Sequence, residues 1–328
     1  GTEDGLPLRL QRFSTWSRDE EQEGEAESER WIDSFHEAKE LYAPNTKMIY
    51  VADREADQYN LLKELIDNDQ YFIIRSRHDR TIHGPTYYLD WDIKSRKSFE
   101  GTSYYCPYEK KDIEVEVRSG TFSFNDPKDQ RTRHLLRKGI DYIALKFVEI
   151  KHVTREKRWV LLTNLKVDNL ADCMKVMKYY RQRWQIEEYF KVLKGGGCQV
   201  EKSNLRTYER LVNYLSVIAV VSWKIYYYQM LSRRDPDAEA KKHFKVSELE
   251  ALSIHFYKNC SSEIFRTPLS SIIKLIAQLG GHNKYNKSNP GLKSLYRGFV
   301  KLEAKEETIN DLKVSMGQKE EDRLQLAK

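Results

Sequence analysis

The apolar positions of the first half of the chain fall into short runs that predict buried strands. Residues 47–52 and 71–74 are two such runs, and residues 56–66 between them have the spacing of an amphipathic helix. Strand, helix and strand in this order form a βαβ pattern, which predicts a mixed α/β fold. Residues 159–163 predict a further buried strand, and residues 6–13 alternate like a half-buried strand after a turn at residues 4–5.

Residues 79–157 differ from the preceding residues in their pattern of apolar and polar positions, which predicts an inserted antiparallel β region. Short strand-like runs are separated by polar and basic turns, at residues 102–105, 113–117 and 142–148. Several basic residues of this region match no motif: Arg80, Lys94, Arg96, Lys97, Lys110 and Lys111. The region is therefore either a spacer without a role or a surface that follows DNA.

The second half of the chain is mostly helical. One helix is expected over residues 172–194, ended by the three glycines at 195–197. A second is expected over residues 208–231, and its apolar part is interrupted by Lys224 and Gln229, so we predict a buried core helix and no membrane span. Shorter C-terminal helices are expected at residues 246–255, 267–278 and 291–303.

Charge is distributed unevenly along the 328 residues. Residues 1–60 carry a net charge of −8, with an acidic run at 17–30, whereas the other 268 residues carry +14. A basic body favours a polyanionic partner, most simply nucleic acid. The composition excludes a membrane channel, a collagen-like fibre and a wholly disordered chain. We expect no signal peptide, and the four cysteines lack zinc-site spacing, so we expect reduced thiols in the cytoplasm.

Asp53 is the first candidate for chemistry. It follows the strand predicted at residues 47–52, and open α/β sheets bind ligands at the carboxyl ends of their strands. The alternative is that Asp53 or Asp57 caps the helix that follows. The local sequence does not decide between the two interpretations.

The second candidate is a stripe on the helix expected at residues 172–194. Spacings of 3, 4, 4 and 3 put five side chains on one face: Tyr180, Arg183, Glu187, Lys191 and Lys194. This leaves Ile186, Phe190 and Leu193 available for the core. A solvated face with a Glu–Lys pair is the ordinary interpretation. One acid among three bases and a tyrosine, however, is typical of a metal-binding carboxylate flanked by phosphate-binding cations.

The spacing of Tyr180, Arg183, Glu187 and Lys194 resembles the Y-(2)-R-(3)-E-(6)-K signature of bacterial cut-and-paste transposases of the insertion-sequence-four family. Residues 53–57 (DREAD) resemble the second-aspartate motif of that family. Trp159, which lies 21 residues before Tyr180, resembles its base-stacking tryptophan. Residues 279–281 and 290–291 resemble its C-terminal region. The resemblance extends over essentially the whole chain.

The resemblance implies a DDE enzyme with an RNase H-like core that contains the β insertion and is followed by a C-terminal helical region. It implies two Mg²⁺ ions, replaceable by Mn²⁺, with Asp53 and Glu187 as catalytic ligands. It also implies a homodimer on double-stranded DNA, which includes the inverted repeats and the target, in the bacterial cytoplasm at the nucleoid. The phosphate-binding and base-stacking residues would be Tyr180, Arg183, Lys191, Lys194, Trp159, Arg54, Arg75 and Arg77.

One part of the family pattern has no match. The first catalytic aspartate lies on a strand before the one predicted at residues 6–13, and Asp4 in its turn is a poor substitute. We therefore expect an N-terminally truncated chain that is inactive alone. The expected segments are a first core part (1–78), the insertion (79–157), a second core part (158–235) and the helical region (236–328). The alternatives are a non-catalytic DNA-binding remnant and a metal nuclease of the same fold.

Overall fold

The chain is represented by a computed structural model, which describes residues 1–3, 5–8, 27–42, 46–83, 87–106, 109–125, 142–195, 207–259, 262–285 and 289–326. The chain divides into two compact units. We call residues 16–184 the sheet unit, and residues 1–15 with 185–328 the helical unit. The strand expected at residues 6–13 lies mostly outside the described residues, and residues 5–8 are not in a strand. The four expected segments stay a prediction.

The described residues of the sheet unit form a six-stranded sheet with the order β1-β2-β6-β5-β4-β3. Its strands are β1 (Ile49–Ala52), β2 (Tyr71–Arg75), β3 (Phe99–Cys106), β4 (Lys111–Asn125), β5 (Tyr142–His152) and β6 (Arg158–Thr163). Its helices are α1 (Glu27–Glu40), α2 (Tyr59–Asp67), α3 (Leu89–Ser95) and α4 (Leu170–Gln182). Strands β1 and β2 are parallel, and every other pair in the sheet is antiparallel. The predicted mixed α/β fold and the βαβ pattern are confirmed.

The three strands of the expected insertion extend this same sheet. Strand β5 pairs with β6 from Lys146 opposite Thr163 to Lys151 opposite Arg158. Strands β4 and β5 are longer than the apolar runs predicted at residues 113–117 and 142–148. Each strand packs against one hydrophobic core near one end and against another core near the other end. In β4, Ile113, Val115 and Val117 face one core, whereas Phe122 and Phe124 face the core on the opposite side. The long strands thus carry their buried residues on opposite faces at their two ends.

The described residues of the helical unit include α5 (Trp184–Gly195), which begins at the last residue of the sheet unit, and the helices α6 (Tyr208–Arg234), α7 (Val246–Tyr257), α8 (Leu269–Leu279) and α9 (Leu292–Leu326). Its core includes Ile225 and Leu252, which are almost fully buried. The helix expected at residues 291–303 was predicted too short, because the segment of α9 after Leu302 is rich in Glu and Lys, which favour helix.

Close contact between α8 and α9 depends on two glycines. A Cβ added at Gly280 would lie 1.8 Å from the carbonyl oxygen of Ser294, and one at Gly298 would lie 1.9 Å from that of Ile276. Gly281 has φ +95°, a conformation that favours glycine. The Leu-Gly-Gly segment at residues 279–281 therefore has a packing role in this unit.

Helix α6 is a core helix, as its interrupted apolar stretch predicts, with Ile218, Ile225 and Leu231 buried. Among the described residues, no helix combines the length and the apolar character that crossing a membrane requires.

Candidate functional site

Asp53 is the residue that follows strand β1 in the sheet unit. Its Oδ1 accepts a hydrogen bond of 3.0 Å from the backbone N–H of Glu55 and so caps a short 3-10 turn over Arg54–Ala56. Its Oδ2 lies 4.0 Å from Nη1 of Arg183, and 38% of its side chain is exposed. Asp53 therefore caps the turn through one oxygen and presents the other beside a cation.

Asp57, four residues later, has a different environment. Its side chain is fully buried and forms an ion pair with Arg80. Its Oδ2 also accepts hydrogen bonds from the backbone N–H of Arg77 (2.7 Å) and the hydroxyl of Ser76 (3.3 Å). The idea that Asp57 caps the next helix is wrong, because Gln58 occupies that position. Asp57 instead holds the segment that follows β2.

Tyr180 and Arg183 come together with Trp159 at the end of α4. The Tyr180 ring is buried, and its centroid lies 5.4 Å from that of Trp159 with the planes at 64°. The guanidinium carbon of Arg183 lies 6.0 Å from the centre of the Tyr180 ring. Trp159 is half-buried at the start of β6 and packs against the core on this side of the sheet. Four residues from three separate segments thus form one neighbourhood that includes Asp53.

The expected continuous stripe is interrupted in the structure. Helix α4 ends at Gln182 and α5 begins at Trp184, so the prediction of one helix over residues 172–194 is wrong. At the break, the N–H of Arg183 donates to the carbonyl oxygen of Tyr180 at 3.0 Å. This contact spans three residues, as in a 3-10 turn, so the α-helical hydrogen-bond ladder stops here. Spacing alone does not reveal such a break.

Glu187, Lys191 and Lys194 lie on α5, in the helical unit. Glu187 is half-buried and Lys194 is exposed. Nζ of Lys191 lies 2.5 Å from a carboxylate oxygen of Glu188, one turn earlier. A pair of this exposed type contributes little to stability, so the Lys191 ammonium can exchange this partner for another anion at small cost.

The core face of α5 was predicted wrongly. Ile186 is 48% and Phe190 44% exposed, and Leu193 is half-buried. Val192 is buried instead, and Tyr189 packs beside it, donating a hydrogen bond of 3.1 Å to the carbonyl oxygen of Ala219 on α6. Because the helix restarts at Trp184, the buried positions differ from those expected for one continuous helix.

The remaining predicted phosphate-binding residues lie around the carboxyl ends of β1 and β2. Arg54 is exposed in the turn after Asp53, and Arg77 has an exposed side chain. Arg75 ends β2 and is half-buried opposite Leu161. The adjacent parallel strands place Arg54 and Arg75 at one edge of the sheet.

Three of the basic residues noted in the β region have acidic partners within the chain. Arg80 pairs with Asp57, Arg96 with Asp92, and Lys111 with Glu109. By contrast, Lys94, Lys97 and Lys110 have exposed side chains. The buried pair with Asp57 gives Arg80 a structural role, whereas the pair of Lys111 with Glu109 is exposed.

The donor atoms of Asp53 suit a hard divalent cation, since such ions prefer carboxylate oxygens and this carboxylate is accessible. Within the described ranges, no group of three or more His, Cys, Asp or Glu side chains is close enough to hold an ion. The carboxylate chemistry of Asp53, and separately that of Glu187, suits such an ion.

Two features of the sheet unit were not expected from the sequence. Glu149 is 3% exposed and accepts hydrogen bonds from Arg118 (2.8 Å) and Arg158 (2.5 Å). An exposed aromatic group lies at the start of α3, where Tyr88 and Trp91 flank the buried Leu89. The apolar positions of Leu89 and Ile93 could have revealed the latter, because they fix the outward face of the helix.

The sheet unit thus combines a mixed α/β sheet with an accessible carboxylate at a strand end, beside cationic and aromatic side chains. A family model described as "Transposase DDE domain" matches residues 22–223. The chain belongs to this family. Its function class is DNA transposition, its family substrate is DNA, and DDE transposases use divalent metal ions.

Proposed function

We propose that this chain is the catalytic region of a cut-and-paste transposase of the insertion-sequence-four type, with an RNase H-like core. Its reaction would be metal-dependent hydrolysis and strand transfer of phosphodiester bonds at transposon ends. The observation that supports this proposal is the approach of Arg183 to Asp53, with Tyr180 and Trp159 beside them. These residues come from the motifs that resemble the family pattern.

In this proposal each side chain has a task set by its chemistry. Asp53 and Glu187 would hold Mg²⁺ or Mn²⁺, which supplies activation of the attacking oxygen and stabilisation of the leaving oxygen. Arg183 would hold a phosphate next to Asp53, since a planar guanidinium binds two phosphate oxygens at once. The half-buried ring of Trp159 would stack a base displaced from the duplex.

The other cations would hold the DNA backbone. Lys191, Lys194, Arg54, Arg75 and Arg77 would contact phosphates and fix the register of the duplex without reading its sequence. We further propose that two copies of the chain form a homodimer on DNA through the helices after residue 236. The antiparallel β region would be an insertion in the RNase H-like core.

We propose that the chain alone does not cleave DNA, because only two of the three carboxylates that a two-metal site of this type uses have a match in it. The experiment uses a duplex from the DNA that flanks its own reading frame, with and without Mg²⁺. No cleavage is expected. Robust Mg²⁺-dependent cleavage would overturn this part, and its loss in Glu187→Gln would then show that the proposed site performs it.

DNA affinity tests the phosphate contacts independently of cleavage. Measured over a range of salt concentrations, Lys194→Ala should weaken binding and lower the salt slope by about one. Glu187→Gln should bind as tightly as the unaltered chain or more tightly, because a negative charge is removed. Lys166→Ala, an exposed lysine paired at 3.7 Å with Asp168, is the matched control and should change neither quantity. Weaker binding by Glu187→Gln, or equal slopes for both lysine variants, would contradict the proposal.

A further inference from the structure

Three large aromatic side chains lie exposed together at the start of α3. Tyr87 is 67%, Tyr88 49% and Trp91 64% exposed. The rings of Tyr88 and Trp91 have their centroids 6.3 Å apart with planes at 64°. We call these three residues the aromatic patch. Rings of this size are usually buried, so a group of them in solvent indicates a binding surface.

The backbone holds the aromatic patch in a fixed orientation. Leu89 and Ile93 on the opposite side of α3 are buried, which turns Trp91 outward. The N–H of Leu89 donates to the carbonyl oxygen of Arg80 at 3.0 Å, and the N–H of Ile82 donates to that of Tyr87 at 2.8 Å. Tyr87 has φ +58°, which a tyrosine adopts only where neighbouring contacts enforce it. The rings therefore stand on a rigid base.

The aromatic patch is bonded to the elements that carry the candidate site. Asp90, between Tyr88 and Trp91, lies 2.9 Å from Nη1 of Arg158, the residue before Trp159. The backbone N–H of Asp90 also donates to Oδ1 of Asp79, in the segment after β2, at 2.9 Å. Helix α3 thus joins the start of β6 and the segment after β2, at the edge where Asp53 follows β1.

The aspartates of α3 beside the aromatic patch are paired with guanidinium groups. Asp90 is paired with Arg158, and Asp92 with Arg96 at 2.8 Å. Lys94, on the same helix, is exposed. Two of the carboxylates next to the patch are thus paired with guanidinium groups, and Asp79, which accepts the N–H of Asp90, is a third.

We infer that the aromatic patch stacks unpaired bases of DNA next to the end that is cut, as a second stacking surface beside Trp159. This inference rests on the proposed function. Unpaired bases are the fitting occupant, because an exposed ring next to cations binds the face of any base, whereas paired bases in a duplex present no free face. Tyr88 and Trp91 can each contact one base, so the surface suits a short single strand and not a particular sequence.

The test compares a blunt duplex with the same duplex carrying a short thymine overhang, by fluorescence anisotropy in EDTA, so that no cleavage occurs. The unaltered chain should bind the overhang duplex more tightly. Trp91→Ala should lose at least about five-fold in affinity for the overhang duplex and little for the blunt one. Trp91→Phe should retain most of the preference, and Tyr285→Ala, which removes a ring 78% exposed in the helical unit, should retain all of it.

Three other results would overturn the inference, and one of them would also overturn the proposed function. Equal affinities of Trp91→Ala and the unaltered chain for the overhang duplex, with matching thermal unfolding, would overturn the inference and leave the proposed function standing. A lower oligomeric mass of Trp91→Ala without an overhang effect would assign the patch to protein contact and also overturn it. If the unaltered chain bound neither duplex, the proposed function would fail as well.

Discussion

Nη1 of Arg183 lies 4.0 Å from Oδ2 of Asp53, which joins the end of α4 to the end of β1. This distance is too long for a hydrogen bond but short enough for an electrostatic attraction. The same guanidinium lies over the ring of Tyr180. Arg183 is therefore held beside the carboxylate that we propose binds metal, and under that proposal its planar guanidinium would contact a DNA phosphate.

Replacing Arg183 tests this arrangement directly. Arg183→Ala should weaken DNA binding and lower its salt slope by about one, because one phosphate contact is lost. Arg183→Lys should keep the slope but not the full affinity, since an ammonium cannot bind two oxygens in one plane. Both quantities come from anisotropy titrations over a range of salt concentrations.

Arg181 provides the matched control for Arg183. Its guanidinium donates to the carbonyl oxygen of Tyr105 at 3.0 Å and stacks on the ring of Tyr104. Arg181→Ala should therefore lower the stability of the sheet unit and leave the salt slope unchanged. Equal slopes in Arg183→Ala and the unaltered chain would remove Arg183 from the phosphate contacts.

Replacing Asp57 of the DREAD segment should lower the stability of the sheet unit much more than replacing Asp53. Asp57→Ala should destabilise the sheet unit by about 3 kcal/mol, because it leaves Arg80 without its buried partner and the N–H of Arg77 without its acceptor. Asp53→Asn should cost less than about 1 kcal/mol, since its Oδ1 caps one short turn and its side chain is 38% exposed. Chemical denaturation of both variants provides the comparison.

Similar losses of stability in the two variants would contradict the separate roles. The roles could not be separated from the sequence, because both residues are acids beside a strand end. The two residues differ in burial. Asp57 is buried against Arg80, which follows β2 in the sequence and so cannot be recognised as its partner from the DREAD segment alone.

Strands were predictable here because each has an uninterrupted or alternating apolar run. The positions of β1, β2 and β6 follow from such runs, and so does the placement of Asp53 after β1. Continuity of the sheet through β3, β4 and β5 was not predictable, because pairing across long separations leaves no local signal. The different sequence pattern of residues 79–157 comes from their polar and basic segments, since their strands belong to the same sheet as β1, β2 and β6.

The buried face of α5 could not be predicted from the spacing of residues along the chain. Tyr180 and Arg183 do come together, as helical spacing indicates. The break after Gln182 nevertheless changes the buried face of the next turns, so that Val192 and not Ile186 or Phe190 is buried. A helix that stops and restarts has the same composition as a continuous one, so its core face cannot be derived from period alone.

Gly298 allows α8 and α9 to touch. Gly298→Ala should destabilise the helical unit by about 1–3 kcal/mol, because its Cβ would lie 1.9 Å from the carbonyl oxygen of Ile276 and the helices must separate. Gly291→Ala is the control, since a Cβ there meets nothing within 4 Å. Thermal unfolding should separate the two variants, and equal midpoints would show that the helices are not in such close contact.

His255 should make the helical unit less stable in mild acid. Burial lowers the pKa of His255 below its ordinary 6.5, and Lys305, Lys258 and Lys301 lower it further. The unfolded chain therefore binds this proton more readily than the folded one as the pH falls below about 6.5. The contribution to stability is complete above that pH and is lost as the pH falls through the lower folded pKa. His255→Gln should flatten this part of the pH dependence, and Lys305→Ala should raise the pKa of His255 measured by NMR titration. A pKa for His255 at or above 6.5 in the unaltered chain, or one that Lys305→Ala does not move, would show that these cations do not act on the imidazole.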